Sequence, residues 1–265
     1  MSDHSLTAAQ VADFKRDGYV VARSFFDQEQ MDHLHRIAKA GFDIENSYAA
    51  IDPEGKSSRL LLRNDLPEDI YSAFVRSERM VDSVELLLGD EAYHFHHKLM
   101  LKEPRVGGAW PWHQDYGYWY DKNSCLFPTM LSAMIAVDKA SIDNGCLQVL
   151  KGSHLCGRLD HFPTGGQLGA DPERVDHLKD RLELVNLELD PGDTAFFDCN
   201  LLHASQANTS ERARWTLICC FNAKSNDPFD DRGEHPGYSY LERWPDSRIA
   251  ELGTTQWSAM AGGNV

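Results

Sequence analysis

No stretch of this chain approaches the roughly 18 consecutive apolar residues that a membrane-crossing helix requires. Its opening residues, MSDHSLTAAQ, lack the basic and apolar segments of a secretory signal, so the sequence predicts a cytoplasmic protein with no membrane partner. Cysteine is sparse and unpatterned. The six thiols, Cys125, Cys146, Cys156, Cys199, Cys219 and Cys220, form no CxxC pair and no dense spacing, which excludes a disulfide framework and leaves reduced thiols filling small spaces. Positive charge is short as well: 26 Lys and Arg stand against 41 Asp and Glu, a net charge of −15 with no basic run. Long-range repulsion then excludes nucleic acid and anionic membranes as partners. Internal repeats and low-complexity segments are absent too.

What remains is a 265-residue chain, 42% hydrophobic and 25% charged, enough for one domain with a well-buried core. The spacing of Leu6, Val11 and Phe14 predicts a helix over Ser5–Asp17, stopped at Gly18. A strand over Tyr19–Phe26 and a helix over Asp27–Ala40 follow, the latter begun by an Asp cap and ended at Gly41. Phe42–Pro67 reads as polar loops over a site, and Glu68–Leu88 as a helix stopped at Gly89. From about residue 92 short strands of four to eight residues alternate with Gly, Pro and Asn-Gly punctuation, Asn144-Gly145 suiting a type I′ hairpin. The expected architecture is α+β, mainly β with flanking helices: a double-sheet jelly roll or open barrel, with the cupin-like jelly roll preferred. It divides into a helical part to about residue 90, a jelly-roll core to about 225, and a C-terminal tail. Tyr238, Tyr240, Trp244 and Trp257 predict that this tail packs down.

Trp110-Pro111-Trp112-His113-Gln114-Asp115 sets a histidine and a carboxylate two apart, and residues i and i+2 of a strand share a face. Ninety residues on, His203 follows the strand Thr194–Phe197 and is placed to reach the same ion from across the barrel. Two imidazoles and one carboxylate leave three open positions on a metal, the arrangement of oxygen-activating Fe(II) sites. Arg214, beyond the turn Asn208–Glu211, is expected on the strand next to His203, looking into the same cavity. Its guanidinium suits a carboxylate held by two parallel hydrogen bonds. Arg212 is the rival for this role, and Ser205 offers a hydroxyl donor.

The segments LTAAQVADFKRDGYVVARSFF, WHQDYGYWY, DNGCLQVLKGSH, LDPGDTAFFDCNLLHAS and RARW together resemble the phytanoyl-CoA dioxygenase family of Fe(II)/2-oxoglutarate oxygenases, from Leu6 to about Phe221. The resemblance implies that His113, Asp115 and His203 hold Fe(II), that Arg214 and Ser205 hold the co-substrate 2-oxoglutarate with Met100 beside it, and that O2 is the oxidant. It implies coupled release of succinate and CO2. The family's Pro-Gly-Ser-His reads Lys151-Gly152-Ser153-His154 here, a change at a turn. Related halogenases carry a small residue where Asp115 stands, so the resemblance favours hydroxylation over halogenation.

Strand alternation puts His94, His96, Lys98, Met100 and Lys102 on one face, with Lys98 a clamp for an anionic substrate group or a helper for 2-oxoglutarate. Trp110, Trp112, Tyr116, Tyr118, Trp119 and Tyr120 crowd around the ligand pair. Tyr116 and Trp119 are assigned to a substrate pocket able to hold a methylated ammonium, whereas Trp110 and Trp112 are assigned to packing. Aromatic walls, one lysine and an acidic chain favour a small zwitterion, of quaternary-ammonium or aminoalkyl-phosphonate type, over an acyl-CoA ester or a secondary metabolite. His33, His35, His154, His161, His177 and His235 are read as surface or structural. A non-catalytic sensor of metal and 2-oxoglutarate is the competing class, and a homo-oligomer is left open.

Overall fold

The computed structural model describes residues 5–122, 125–164, 166–229 and 239–262; expectations for the first four residues, His235 and Tyr238 fall outside them. Helix α1 (Ala8–Asp17) starts from a capping box between Thr7 and Gln10, later than the expected Ser5, and closes at Gly18 with φ +81°. Strand β1 (Tyr19–Ala22) stops short of the expected Phe26 because Ser24 takes a positive φ of 47°, turning Phe25 and Phe26 into the core. Asp27 and Gln30 form a second capping box that begins α2 (Gln28–Ala40).

In place of the expected loops, Phe42–Pro67 contains the antiparallel hairpin of β2 (Tyr48–Ile51) and β3 (Ser57–Arg63). The Asp52 carboxylate, accepting from the Glu54 and Lys56 amides, holds its turn. The single helix expected over Glu68–Leu88 is two, α3 (Ile70–Arg76) and α4 (Glu78–Leu88), because Ser77 is extended and turns its hydroxyl to the Phe74 carbonyl. There follow β4 (Ala92–Lys102), β5 (Trp110–His113), α5 (Asp115–Lys122), β6 (Met130–Ala136), β7 (Leu147–Leu150), β8 (His161–Thr164), β9 (Gln167–Ala170), α6 (Pro172–Lys179) and β10 (Leu184–Leu187). Then come β11 (Thr194–Asp198), β12 (His203–Ser205), β13 (Arg214–Ala223), β14 (Ser239–Tyr240) and α7 (Arg248–Gly262). Strands β4 and β13, at 11 and 10 residues, exceed the expected lengths. Asn144-Gly145 ends a 3-10 turn instead of making a type I′ hairpin, with only the glycine at positive φ, +77°.

The strands build a jelly roll. A large sheet runs β1-β11-β6-β13-β4-β3-β2, with β14 also on β4; a small sheet runs β10-β7-β12-β5; and β8-β9 form a ribbon. Alternation along the central strands sorts side chains between two layers. Trp215, Leu217, Cys219 and Phe221 of β13, with Leu131, Ala133 and Ile135 of β6, pack against Leu34, Ile37, Phe74, Val84 and Ile249 of the helices. Their neighbours Ile218, Cys220, Met130 and Met134 turn inward toward the small sheet. In the described part of the tail, Ile249 and Leu252 of α7 are buried and Trp244 and Trp257 pack at the edge of this core, whereas Tyr240 is exposed.

One irregularity matters for the site. The β13–β4 register jumps between Cys220 and Phe221, whose partners are His96 and His94, so Phe95 is an extra residue, a β-bulge. His94 therefore does not share the His96–Lys98 face as alternation predicts; its Nε2 lies 3.1 Å from Nδ1 of His97, whose ring stacks on Tyr71 of α3.

Phe74 is fully buried with its ring 4.6 Å from that of Phe26. Phe74→Ala should cost about 3–5 kcal/mol in chemical denaturation. A cost below about 1 kcal/mol would mean that the helical layer is not part of the cooperatively folded unit.

Candidate active site

Strand β5 ends at His113, and Asp115 opens helix α5, so the two do not share a strand face as expected. The chain turns at Gln114, helped by the Tyr116 amide donating to the Cys199 carbonyl at 2.9 Å. His203 does not come from across the barrel either: β12 pairs with β5, His203 stands opposite His113, and the rings are 4.1 Å apart. Adjacent strands and a helix N-terminus thus bring the three residues together, all buried, with ligand-capable atoms within 4.8 Å of one another.

The protonation pattern is set by the backbone. Nδ1 of His113 lies 2.8 Å from the Pro111 carbonyl and Nδ1 of His203 lies 2.9 Å from the Leu201 carbonyl. Carbonyls only accept, so each Nδ1 carries the proton and each Nε2 keeps a lone pair. Burial, then the neighbouring imidazole, holds His113 well below the usual histidine range; burial likewise lowers His203. Burial works against ionisation of Asp115, but the nearby Lys98 charge, with the Ser132 hydroxyl at 2.7 Å, opposes it, and the carboxylate is held below its ordinary range. Its Oδ1 lies 4.0 and 3.9 Å from the two Nε2 atoms. Three acceptors face one another with no donor between them, beyond hydrogen-bond length, which is a donor set for a cation.

Arg214 is on β13 of the large sheet, between β4 and β6, not on the strand beside His203; residues 206–213 cross from one sheet to the other. It is 1% exposed. Its Nε has no hydrogen-bond partner, and one terminal nitrogen lies 3.9 Å from the Met100 sulfur. Burial brings it down to about 10, with Cys146 and Asp138 opposing. Among the described residues no carboxylate pairs with it, so this buried fork fits an anion. The rival Arg212 is exposed and bound to Asp143 at 2.9 Å. Opposite Arg214 in register lies Lys102, also buried; its ammonium donates to the Gln206 carbonyl, and burial, then Arg214, pushes it well below the usual lysine range.

One cavity of about 410 Å³ joins these groups. Lys98, Met100, Trp119, Ser205 and Arg214 line it with the three-residue cluster, as expected. Tyr116 does not: it is buried beside Cys125, to whose carbonyl its hydroxyl donates at 3.2 Å. Trp110, expected in the packing, is in the cavity wall, while Trp112 packs beside Leu150 and Leu202. The wall also contains Tyr48, Leu60, Leu62 and Asn64 of the hairpin and its flank, with Tyr118 and Lys122 of α5. The hairpin residues were missed because their segment read as loop. Ser132 was missed because nothing near it in sequence marks it; only strand pairing brings it to Asp115.

A jelly roll that gathers two imidazoles and a carboxylate at one point, with an unpaired arginine buried on the facing sheet, is the framework of the iron oxygenases that use 2-oxoglutarate, and this chain is of that class. It belongs to the phytanoyl-CoA dioxygenase (PhyH) family, whose model matches residues 14–216. Ectoine dioxygenase of Sphingopyxis alaskensis is 28% identical over 242 residues, covering 85% of this chain and 78% of the relative. L-proline trans-4-hydroxylase of Streptomyces griseoviridis is 27% identical over 177 residues, 61% of this chain and 66% of that enzyme. The crystal structure of EctD from S. alaskensis with 2-oxoglutarate and 5-hydroxyectoine superposes with a TM-score of 0.74 at 25% identity, over 93% of this chain and 91% of that one. The form with bound Fe gives 0.73. The cofactors are accordingly Fe(II), 2-oxoglutarate and O2. Among the described residues no helix is long and apolar enough to cross a membrane.

A buried, unpaired cation destabilises the protein that lacks its anion. Arg214→Met should therefore leave the metal-free, co-substrate-free protein as stable as the native chain or more stable, by on the order of 1–4 kcal/mol in denaturant. A loss of similar size would mean that the guanidinium is already paired.

Proposed function

We propose that the chain hydroxylates a small zwitterionic molecule, with His113, Asp115 and His203 as the iron ligands and Arg214 and Ser205 as the anchor of 2-oxoglutarate. The observation that carries this reading is the unpaired Arg214 fork in the same cavity as three converging lone pairs: one site asks for a metal, the other for a carboxylate. Met100, against the guanidinium, keeps that end of the cavity apolar, so the bidentate contact is made in a low dielectric. The helices, sheets and tail work as a single domain, since α7 and the large sheet share one core.

Bound iron and 2-oxoglutarate supply the oxidising power: O2 and the co-substrate become CO2 and succinate, and one oxygen atom enters a substrate C–H bond. The chain's own residues position and exclude. Hydrogen bonds from Nδ1 keep each Nε2 turned to the centre, and Ser132 fixes Asp115 so that one oxygen remains free. Buried apolar walls from Met134, Leu147, Phe197 and Ile218 keep water away from the reacting atoms.

The charge inventory of the wall supports a zwitterion. Among the described lining residues Asp115 is the only carboxylate, against Lys98, Lys122 and Arg214. With Asp115 on the metal and Arg214 on the co-substrate, Lys98 and Lys122 are left, and Lys98, beside Met100 on β4, is the one assigned to a substrate carboxylate or phosphonate. A substrate ammonium meets no acid and lies instead over Trp119, whose ring is held 5.1 Å from Phe95 and 5.9 Å from His96. Ectoine and proline, the substrates in the names of the two relatives, are both small zwitterions. Tyr116 serves this site by packing.

His113→Ala, Asp115→Ala or His203→Ala should each lose most bound iron and all substrate-coupled succinate release, and full activity in any of them removes that residue from the metal. Arg214→Lys, losing one charge-assisted contact of about 1.5–3 kcal/mol, should raise the 2-oxoglutarate requirement roughly tenfold to a hundredfold with iron retained.

The pocket assignment is tested by substrate panel. Lys98→Met should weaken substrates carrying a carboxylate or phosphonate, and Trp119→Leu those carrying a methylated ammonium by about 0.5–2 kcal/mol. The visible band of the iron–2-oxoglutarate chelate should be unchanged in both. Loss of 2-oxoglutarate binding in Lys98→Met would move that lysine to the co-substrate.

A further inference from the structure

Between the two ligands contributed by one segment sits Gln114, fully buried, and nothing in the chemistry of the site uses it directly. Its side-chain amide donates to the carbonyls of Gly157 and Asn200, at 2.8 and 2.6 Å, and accepts from the Leu159 amide at 2.7 Å. Asn200 immediately precedes Leu201, whose carbonyl holds the His203 ring. One amide group thus ties the segment bearing His113 and Asp115 to the segment leading into His203. The backbone N–H of Gln114, at the point where strand β5 gives way to helix α5, donates to Nε2 of His161 at 3.0 Å. His161 is itself aimed by its Nδ1, 3.0 Å from the Leu159 carbonyl. Gly117 makes room for that ring, since a Cβ there would lie 2.1 Å from it.

We infer that His161 and Gln114 are positioning residues for the metal: His161, by accepting the Gln114 amide, and Gln114, by bridging the two ligand-bearing segments, fix the turn that brings Asp115 to the same point as His113 and His203. The physical reasoning follows from the fold. A strand continued through Gln114 would pair its amide with a neighbouring strand's backbone; here that amide is satisfied by the imidazole of His161, at the start of β8, instead, and the chain is free to enter α5 without leaving a buried donor unpaired. With the turn held before any ion arrives, the three ligands lose little freedom on binding one, and outer partners of this kind are commonly worth tenfold to a hundredfold in metal affinity.

The inference rests on the proposed metal site, and a pair of His161 variants separates it from simple packing. His161→Phe keeps a ring beside Tyr118 and Gly117 but cannot accept a hydrogen bond. His161→Gln loses the ring but sets a carbonyl oxygen near the position of Nε2. The readout is Co(II) affinity of the purified metal-free chain, by titration of the visible cobalt bands, alongside thermal melting of the same metal-free protein. Expected are a roughly tenfold to hundredfold weaker Kd for His161→Phe and a Kd within about threefold of native for His161→Gln. Gln114→Met, which keeps length and volume but loses all three side-chain bonds, should weaken Co(II) as His161→Phe does. Native-like binding by His161→Phe, or equal weakening by both His161 variants, overturns the hydrogen-bond role, and native-like binding by Gln114→Met overturns the bridge. Should either His161 variant fail to fold, the Gln114 arm decides the proposal alone. If the native chain binds no Co(II), or His113→Ala binds it as well as native does, the metal site itself fails, a result distinct from these.

Discussion

Lone pairs repel, and the centre of this fold holds three of them facing one another across less than 4.8 Å. Every atom behind them is already committed. Each Nδ1 is bound to a carbonyl two residues back along the chain, and the second oxygen of Asp115 is bound to Ser132. None of the three side chains can relieve the repulsion by rotating without breaking a buried hydrogen bond. Much of the rest of the architecture follows from that constraint: the pairing of β5 with β12, the turn at Gln114, and the choice of serine at a position of β6 that would otherwise accept any small residue.

The facing sheet answers with charge of the opposite sign. Arg214 and Lys102 are register partners on neighbouring strands, and two buried cations side by side are costly. Lys102 escapes part of the cost by shedding its proton more readily than a free lysine and by donating to Gln206, one residue beyond Ser205. Arg214, brought down only to about 10 by burial, stays charged at neutral pH, and among the described residues no carboxylate pairs with it. A dianionic co-substrate therefore meets a cation that the fold has already desolvated.

The chemistry-bearing residues were legible in the chain because they lie in contiguous, distinctive segments, and capped helices such as α2 were legible because caps are local. The geometry that joins them was not. His203 and His113 are neighbours through strand pairing across ninety residues, Arg214 reaches the site from the opposite sheet, and the β2–β3 hairpin owes its place to Asp52 and to β4 more than to its own polar sequence. His161 looked like an ordinary loop histidine; its role is visible only from what it accepts. Tyr116 leaves its expected place because α5 begins at Asp115, and a helix does not distribute alternate residues as a strand does.

The extra residue at Phe95 divides β4 into two parts that answer to different demands. From Lys98 to Lys102 the strand keeps strict alternation against β13, and any slip there would carry Arg214 out of the cavity. At the bulge itself alternation is broken, so Phe95 and His96 both lie beside Trp119 while His94 lies against His97, whose ring stacks on Tyr71 of α3. Side chains at Phe95 and His96, beside Trp119, can therefore be exchanged without shifting the register that sets Lys98 and the partner of Arg214. A lineage built on such a strand can diversify what it oxidises while inheriting, unchanged, the means by which it oxidises.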